Sequence, residues 1–84
     1  MERHPLIMPD LELGELPVTA SVWLAELGRE VIEGDRLLEI NAGELTVDLP
    51  APATGILVQR CVAEDDPVRT GQVLGYIAVS SGGT

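Results

Sequence analysis

A spaced pattern, V-x-x-G-x-x-L-x-x-I, occurs twice in this chain of 84 residues, as Val31, Gly34, Leu37, Ile40 and as Val68, Gly71, Leu74, Ile77. The offset is 37 residues (68 minus 31). Each copy follows an apolar stretch, 18–27 and 55–63, and an acidic or glycine-bearing turn. One supersecondary unit used twice predicts a single quasi-twofold domain, and the length leaves room for only one core.

The local signals are those of strands. Ser21 to Ala25, Leu37 to Asn41, Leu45 to Leu49, Gly55 to Val62 and Val73 to Val79 are short, often β-branched, and bounded by Gly, Pro, Asp or Asn. In 45–49 apolar Leu45, Val47 and Leu49 alternate with Thr46 and Asp48, which predicts one face inward and one in water. The window 22–32 contains Gly28 and reads as strand then turn rather than helix. Gly34 and Gly71 fall where positive φ is expected, and Pro50-Ala51-Pro52 should end one strand and cross to the next. Asp35 and Asp66 read as carboxylates that hold their own turns by accepting from local amides. Asn41-Ala42-Gly43-Glu44, with Ile40 paired toward Val47, reads as a tight hairpin whose exposed tip is Gly43-Glu44.

Composition removes several function classes. Fourteen acidic residues against five arginines give a net charge of −9, which repels phosphate backbones and anionic lipid, so neither nucleic acid nor membrane is expected as a partner. The apolar runs are short and Met1 to Pro9 shows no signal-peptide pattern, so the expected location is cytoplasmic. The core must be built from aliphatic residues, because the chain has no Phe, one Trp and one Tyr. Trp23 is expected as a partly buried core or edge aromatic, and the single Cys61 as a small buried hydrophobe. His4 sits in an expected loose segment without a local acid or thiol partner. No nucleophile with a base, no phosphate loop and no metal-ligand cluster is visible, so no catalytic and no metal residue is assigned.

Read together, Met8-Pro9-Asp10-Leu11, Gly14-Glu15, Trp23-Leu24, Glu33-Gly34-Asp35, Glu39-Ile40 and the stretch Thr46 to Gly55 (T-V-D-L-P-A-P-A-T-G) resemble the lipoyl/biotinyl carrier domains. The likeness is greatest to the lipoyl domains of 2-oxo acid dehydrogenase acyltransferases. It covers about Leu6 to Val79 and implies an all-β fold, a flattened barrel or sandwich of two four-stranded antiparallel sheets related by a pseudo-dyad. The domain is then 6–79, with 1–5 and 80–84 as flexible ends.

The chain departs from that family where the family's chemistry resides. Its members carry D-K at the hairpin turn and attach lipoyl, or biotin in the sister group, to the lysine; the matching pair here is Gly43-Glu44, and the chain contains no lysine at all. An amide to lipoyl or biotin needs an amine nucleophile, which a carboxylate is not. The resemblance with this departure implies no lipoyl cofactor. It implies a non-catalytic interaction or spacer module, not an enzyme by itself, with 2-oxo acid dehydrogenase subunits as expected protein partners. Gly43 differs as well as Glu44, and Leu45 follows where the family has Ala, so the whole tip has its own character. Glu44, with Glu39 and Asp48 nearby, is the candidate partner-binding surface. The alternatives are the half-motif domain of a transport adaptor, in which a helical hairpin separates the halves, and a degenerate biotinyl carrier.

Overall fold

A computed structural model of the chain describes residues 2–80; Met1 and 81–84 lie outside the described residues, and with them most of the tail expected to be flexible. Seven strands follow one another: β1 Glu2–Ile7, β2 Val18–Trp23, β3 Glu30–Val31, β4 Arg36–Ala42, β5 Leu45–Pro50, β6 Gly55–Arg60 and β7 Val73–Val79. They form two antiparallel sheets, one in the order β1-β7-β6-β3 and one in the order β2-β4-β5. No helix is present among the described residues.

The repeat in the sequence is a repeat in the hydrogen bonds. Gly28 N–H donates to Leu57 O and Leu57 N–H to Arg29 O; 37 residues on, Asp65 N–H donates to Ala20 O and Ala20 N–H to Asp66 O. Leu24 N–H to Leu37 O returns as Cys61 N–H to Leu74 O, and Asp35 N–H to Ile32 O as Gln72 N–H to Arg69 O. The dyad also relates β4 with β5 to β7 with β1: Gly34 N–H donates to Ala51 O and Ala51 N–H to Asp35 O, while Gly71 N–H donates to Met8 O and Met8 N–H to Gln72 O. A covalent hairpin thus joins β4 to β5, while β1 reaches β7 only through the ladder that starts at Glu2 and Val79. The hairpin tip and the paired ends of β1 and β7 are therefore symmetry-related poles of a body 45 × 21 × 18 Å in extent.

The core obeys the same operator. Leu37 and Leu74, Ile40 and Ile77, Ala20 and Leu57, Val31 and Val68, Leu6 and Leu49, and Met8 and Ala51 are buried pairs in one apolar cluster. Symmetry breaks at Leu38, whose counterpart is Gly75: a Cβ at Gly75 would lie 2.7 Å from Gln59 O and 3.1 Å from Trp23 Cη2. The missing side chain leaves room for the indole. Trp23 is half-buried there, donates from Nε1 to Val62 O at 2.9 Å, and carries the Arg60 guanidinium 5.5 Å from its ring centroid. A thin aliphatic core of this kind gains about 1.5–3 kcal/mol per fully buried large side chain, so each such position matters to a domain this small.

The expected turns form as read. Gly34 and Gly71 have φ of 94° and 85°. Asp35 Oδ2 accepts from Ile32 N–H at 2.9 Å, and Asp66 Oδ2 from Ala63 N–H at 2.8 Å.

Several expectations change, beginning with β2, which runs Val18–Trp23 rather than 21–25. The second sheet has three strands rather than four: where the symmetry calls for a strand at 67–68, a single bridge, Thr19 to Pro67, remains. Pro67, which has no amide donor, is itself one partner of that bridge, and Pro17, which also lacks one, precedes the other segment. Residues 2–5, expected to be loose, form β1 and pair with Val79 through Tyr76, so His4 lies in a ladder opposite Ile77 and, contrary to the expectation that it lacks a local acid, has its Nε2 3.7 Å from Glu2 Oε2. Glu30–Val31, not expected as a strand, pairs with Gly55 and Ile56. Cys61 is exposed rather than buried. Its amide ties to Leu74 O beyond the irregular register at Leu57/Gln59, and Val62, the next residue, takes the inward position.

Candidate functional site

The β4–β5 hairpin is the element that leaves the body. Its ladder runs Glu39 to Asp48, Ile40 to Val47, Asn41 to Thr46 and Ala42 to Leu45, which leaves Gly43 and Glu44 as a two-residue turn. Gly43 has φ of 62°, and Glu44 is not among the residues with positive φ. A positive φ at the first turn residue only is the sign pattern of a type II′ turn, whose twist matches that of the flanking strands, and glycine suits it. Thr46 Oγ1 and Asn41 Oδ1, 3.3 Å apart, tie the two strands together just behind the turn.

Along β5 burial falls toward the tip, with Leu49 3% exposed, Val47 half-buried and Leu45 52% exposed, while on β4 Ala42, opposite Leu45, stays 1% exposed. Simple alternation placed all three inward. The gradient shows instead that the β5 side of the hairpin opens to solvent at Leu45 while the β4 side stays covered up to Ala42. The segment 8–17 comes up beside it, since a Cβ at Gly43 would lie 3.9 Å from Leu16 Cδ2. That segment is shaped by its own turns, with Glu12 and Gly14 at φ of 56° and 65° and Asp10 Oδ1 accepting from Glu12 N–H at 2.8 Å. Leu16 is 46% exposed, so leucines at 16 and 45 flank the exposed Glu44. No alternation marks this apolar flank; the only signal for it is Leu16 next to Pro17, in a segment with no strand pattern to bury it.

Glu44 makes no ion pair or side-chain hydrogen bond among the described residues. Glu39 and Asp48 are directly opposite one another across the ladder, which puts two carboxylates on one face of the hairpin. Arg36 Nη1 lies 3.5 Å from Asp48 Oδ2, with the arginine side chain 77% exposed, so the pair is worth at most ~1 kcal/mol. Asp10 stays in the neighbouring loop, engaged with its own backbone. Of the three candidates, Glu39 and Asp48 share a face along the strands and Glu44 sits at the turn beyond them.

A covalent acyl or biotinyl arm does not fit these residues. The tip offers a carboxylate, which neither attacks an activated acyl group as an amine does nor yields an amide, and no lysine exists elsewhere in the chain to replace it. No group of three or more His, Cys, Asp or Glu positioned to hold a metal occurs among the described residues. No helix among them is long and apolar enough to cross a membrane.

Fold and hairpin together define a biotin/lipoyl-type domain, and the comparison with known proteins agrees: the chain belongs to the biotin–lipoyl family described as "Biotin-requiring enzyme", whose profile matches residues 5–77. It is similar to the dihydrolipoyllysine-residue acetyltransferase component of the pyruvate dehydrogenase complex of Mycobacterium tuberculosis, at 33% identity over 82 residues, covering 95% of this chain and 14% of the relative. A second relative is the dihydrolipoyllysine-residue succinyltransferase component of the 2-oxoglutarate dehydrogenase complex of Haemophilus influenzae, 28% identical over 78 residues, with 93% of this chain and 19% of the relative covered. The chain thus spans about a fifth or less of the length of these relatives. Among solved structures, the lipoyl domain of the 2-oxoglutarate dehydrogenase complex of Azotobacter vinelandii superposes with a TM-score of 0.73 at 19% identity, covering 92% of this chain and 98% of that one. A multi-domain long-chain acyl-CoA carboxylase matches with a TM-score of 0.71 at 21% identity, covering 95% of this chain and 7% of its own. At such identities the two superpositions establish the fold.

Proposed function

We propose that this lipoyl-type domain bears no covalent arm and acts as a non-catalytic interaction or spacing module in the setting of a 2-oxo acid dehydrogenase complex. The observation that carries this reading is the chemistry of the turn. A family hairpin projects from the body on a tight ladder, and it ends in Gly43-Glu44 on a chain with no lysine. What such a tip can do is present charge. An exposed carboxylate on a tight turn, with Leu45 next to it and Leu16 beside Gly43, suits a partner surface that offers an arginine within an apolar rim. A sheltered contact of that kind is worth ~1.5–3 kcal/mol and a wet one much less. One contact of that size does not hold a complex, so the leucines and the Glu39/Asp48 face must contribute. The dehydrogenase setting rests on the printed names of the relatives, which are acyltransferase components of such complexes.

The test is the intact mass of the chain after coexpression with a lipoate ligase and, separately, with a biotin ligase. Unchanged mass supports the reading, and a gain of one lipoyl or biotinyl group overturns it. Immobilised domain offered purified dehydrogenase, acyltransferase and flavoprotein subunits then tests the setting. Saturable binding that Glu44→Arg weakens is expected. Absence of binding to all three contradicts the setting while leaving the mass result intact.

A further inference from the structure

About a strand's length from the tip, at the opposite end of β4, the body has a cleft of about 410 Å³ beneath the 24–29 turn. Its floor is apolar: Ala25 and Val31 belong to the buried core, and Leu24 is 46% exposed above them. Two arginines, Arg29 and Arg36, line it. The chain has only five arginines against fourteen acids, and two of the five line this one cleft, beside Glu30 and Asp35. The internal symmetry provides a control for what the scaffold itself requires. The positions 37 residues on from Arg29 and Arg36 are Asp66 and Val73, in turns with the same backbone hydrogen bonds. Neither arginine is therefore demanded by the fold.

Availability also differs among the cations. Arg3 bonds Gln59 and faces Tyr76, and Arg60 donates to Ala25 O and covers Trp23. Arg29 has neither an ion pair nor a side-chain hydrogen bond among the described residues. Arg36 holds only the exposed contact to Asp48, which a ligand can replace at small cost. The lining also carries two acids, Glu30 on the two-residue edge strand and Asp35, which accepts from Ile32 N–H, so the four formal charges cancel and an anion must be held by the guanidinium forks themselves rather than by the net field. We propose that this cleft binds a small organic carboxylate, its anionic end held by Arg29 and Arg36 and a short aliphatic body laid on Leu24, Ala25 and Val31. The volume falls within the range of small-molecule sites, and guanidinium forks suit a carboxylate. The site is separate from the hairpin tip and does not depend on whether the tip bears an arm.

The probe is butyrate, titrated into the isotope-labelled chain while backbone amide shifts are followed, with n-butylammonium as the charge control and inorganic phosphate as the shape control. Saturable shifts confined to the amides around 24, 25, 29, 31 and 36 are expected, weakened about tenfold in R29Q/R36Q, the scale of one charged hydrogen bond, and unchanged in R69Q. Both arginines are exposed, so the double variant should keep the wild-type amide spectrum. Loss of that spectrum moves the test to the single variants, either of which must weaken binding. Shifts that do not saturate, that R69Q reduces equally, or that n-butylammonium reproduces overturn the proposal. Phosphate binding as tightly as butyrate overturns the role of the apolar floor.

Discussion

Gly28 and Asp65 occupy the same place in the two halves: each donates its amide across to the other half, at 2.7 Å in both cases, and each does so with positive φ, 88° and 71°. Only one of the two is glycine. Nothing lies within 4 Å of a Cβ built at Gly28, so Gly28→Ala meets no clash and its cost is conformational alone. Holding an L-residue in the left-handed region costs ~1–2 kcal/mol. Asp65 already bears part of that cost, eased because aspartate tolerates this region better than most residues. Replacing it with glycine relieves the strain but frees the unfolded chain by ~0.4–1 kcal/mol, so Asp65→Gly should lie between neutral and about 0.5 kcal/mol stabilising. Urea unfolding reads both. With a slope near ~1 kcal/mol/M for a domain this size, and with the same ~0.4–1 kcal/mol of unfolded-chain entropy now offsetting part of the cost, Gly28→Ala should lower the midpoint by about 0.5–1 M and Asp65→Gly should move it little or upward. A neutral Gly28→Ala, or an Asp65→Gly that costs more than about 1 kcal/mol, would refute the equivalence of the two turns.

Three further outcomes follow from packing and charge. Gly55→Ala should prevent folding or cost about 3 kcal/mol or more, because the new Cβ would collide with Ala78 O in the facing strand; circular dichroism and a thermal melt decide it. Trp23→Phe leaves Val62 O without its indole donor and weakens the Arg60 contact, so a loss of about 2 kcal/mol in urea unfolding is expected, against near-neutrality if the bond contributes nothing. Glu39→Gln removes one of two directly opposed carboxylates and should stabilise by ~0.2–1 kcal/mol at low salt, a gain that shrinks as salt is added; destabilisation would mean Glu39 has an attractive partner.

The parts of the fold that were readable were those written locally. β7 matches its expected bounds to the residue, β5 to within one residue at one end and β4 to within one at both, because alternation, glycine and proline punctuate them. β1 was not readable: Glu2-Arg3-His4-Pro5 is polar with a proline, and it is a strand only because β7 offers it a ladder 70 residues away in the chain. Cys61 and Leu45 were misplaced for a related reason. A side chain's burial depends on where a bulge falls and where the opposing layer stops, and neither is encoded in the residue or its neighbours. At the site, the hairpin and its register were legible down to the pairing of Ile40 with Val47, whereas the facing of Glu39 and Asp48 across the ladder was not, since the residues alone do not place them on one face. The approach of Leu16 was not, since it depends on the path of an irregular ten-residue loop.

The reading of the tip separates a geometry that still matches the family from a nucleophile that does not. Restoring the nucleophile tests this most directly. The double variant Gly43→Asp/Glu44→Lys, coexpressed with a lipoate ligase beside the unaltered chain, should gain the mass of one lipoyl group while the unaltered chain gains none. Lipoylation of the unaltered chain, or refusal of lipoate by a double variant with a native-like amide spectrum, would contradict it.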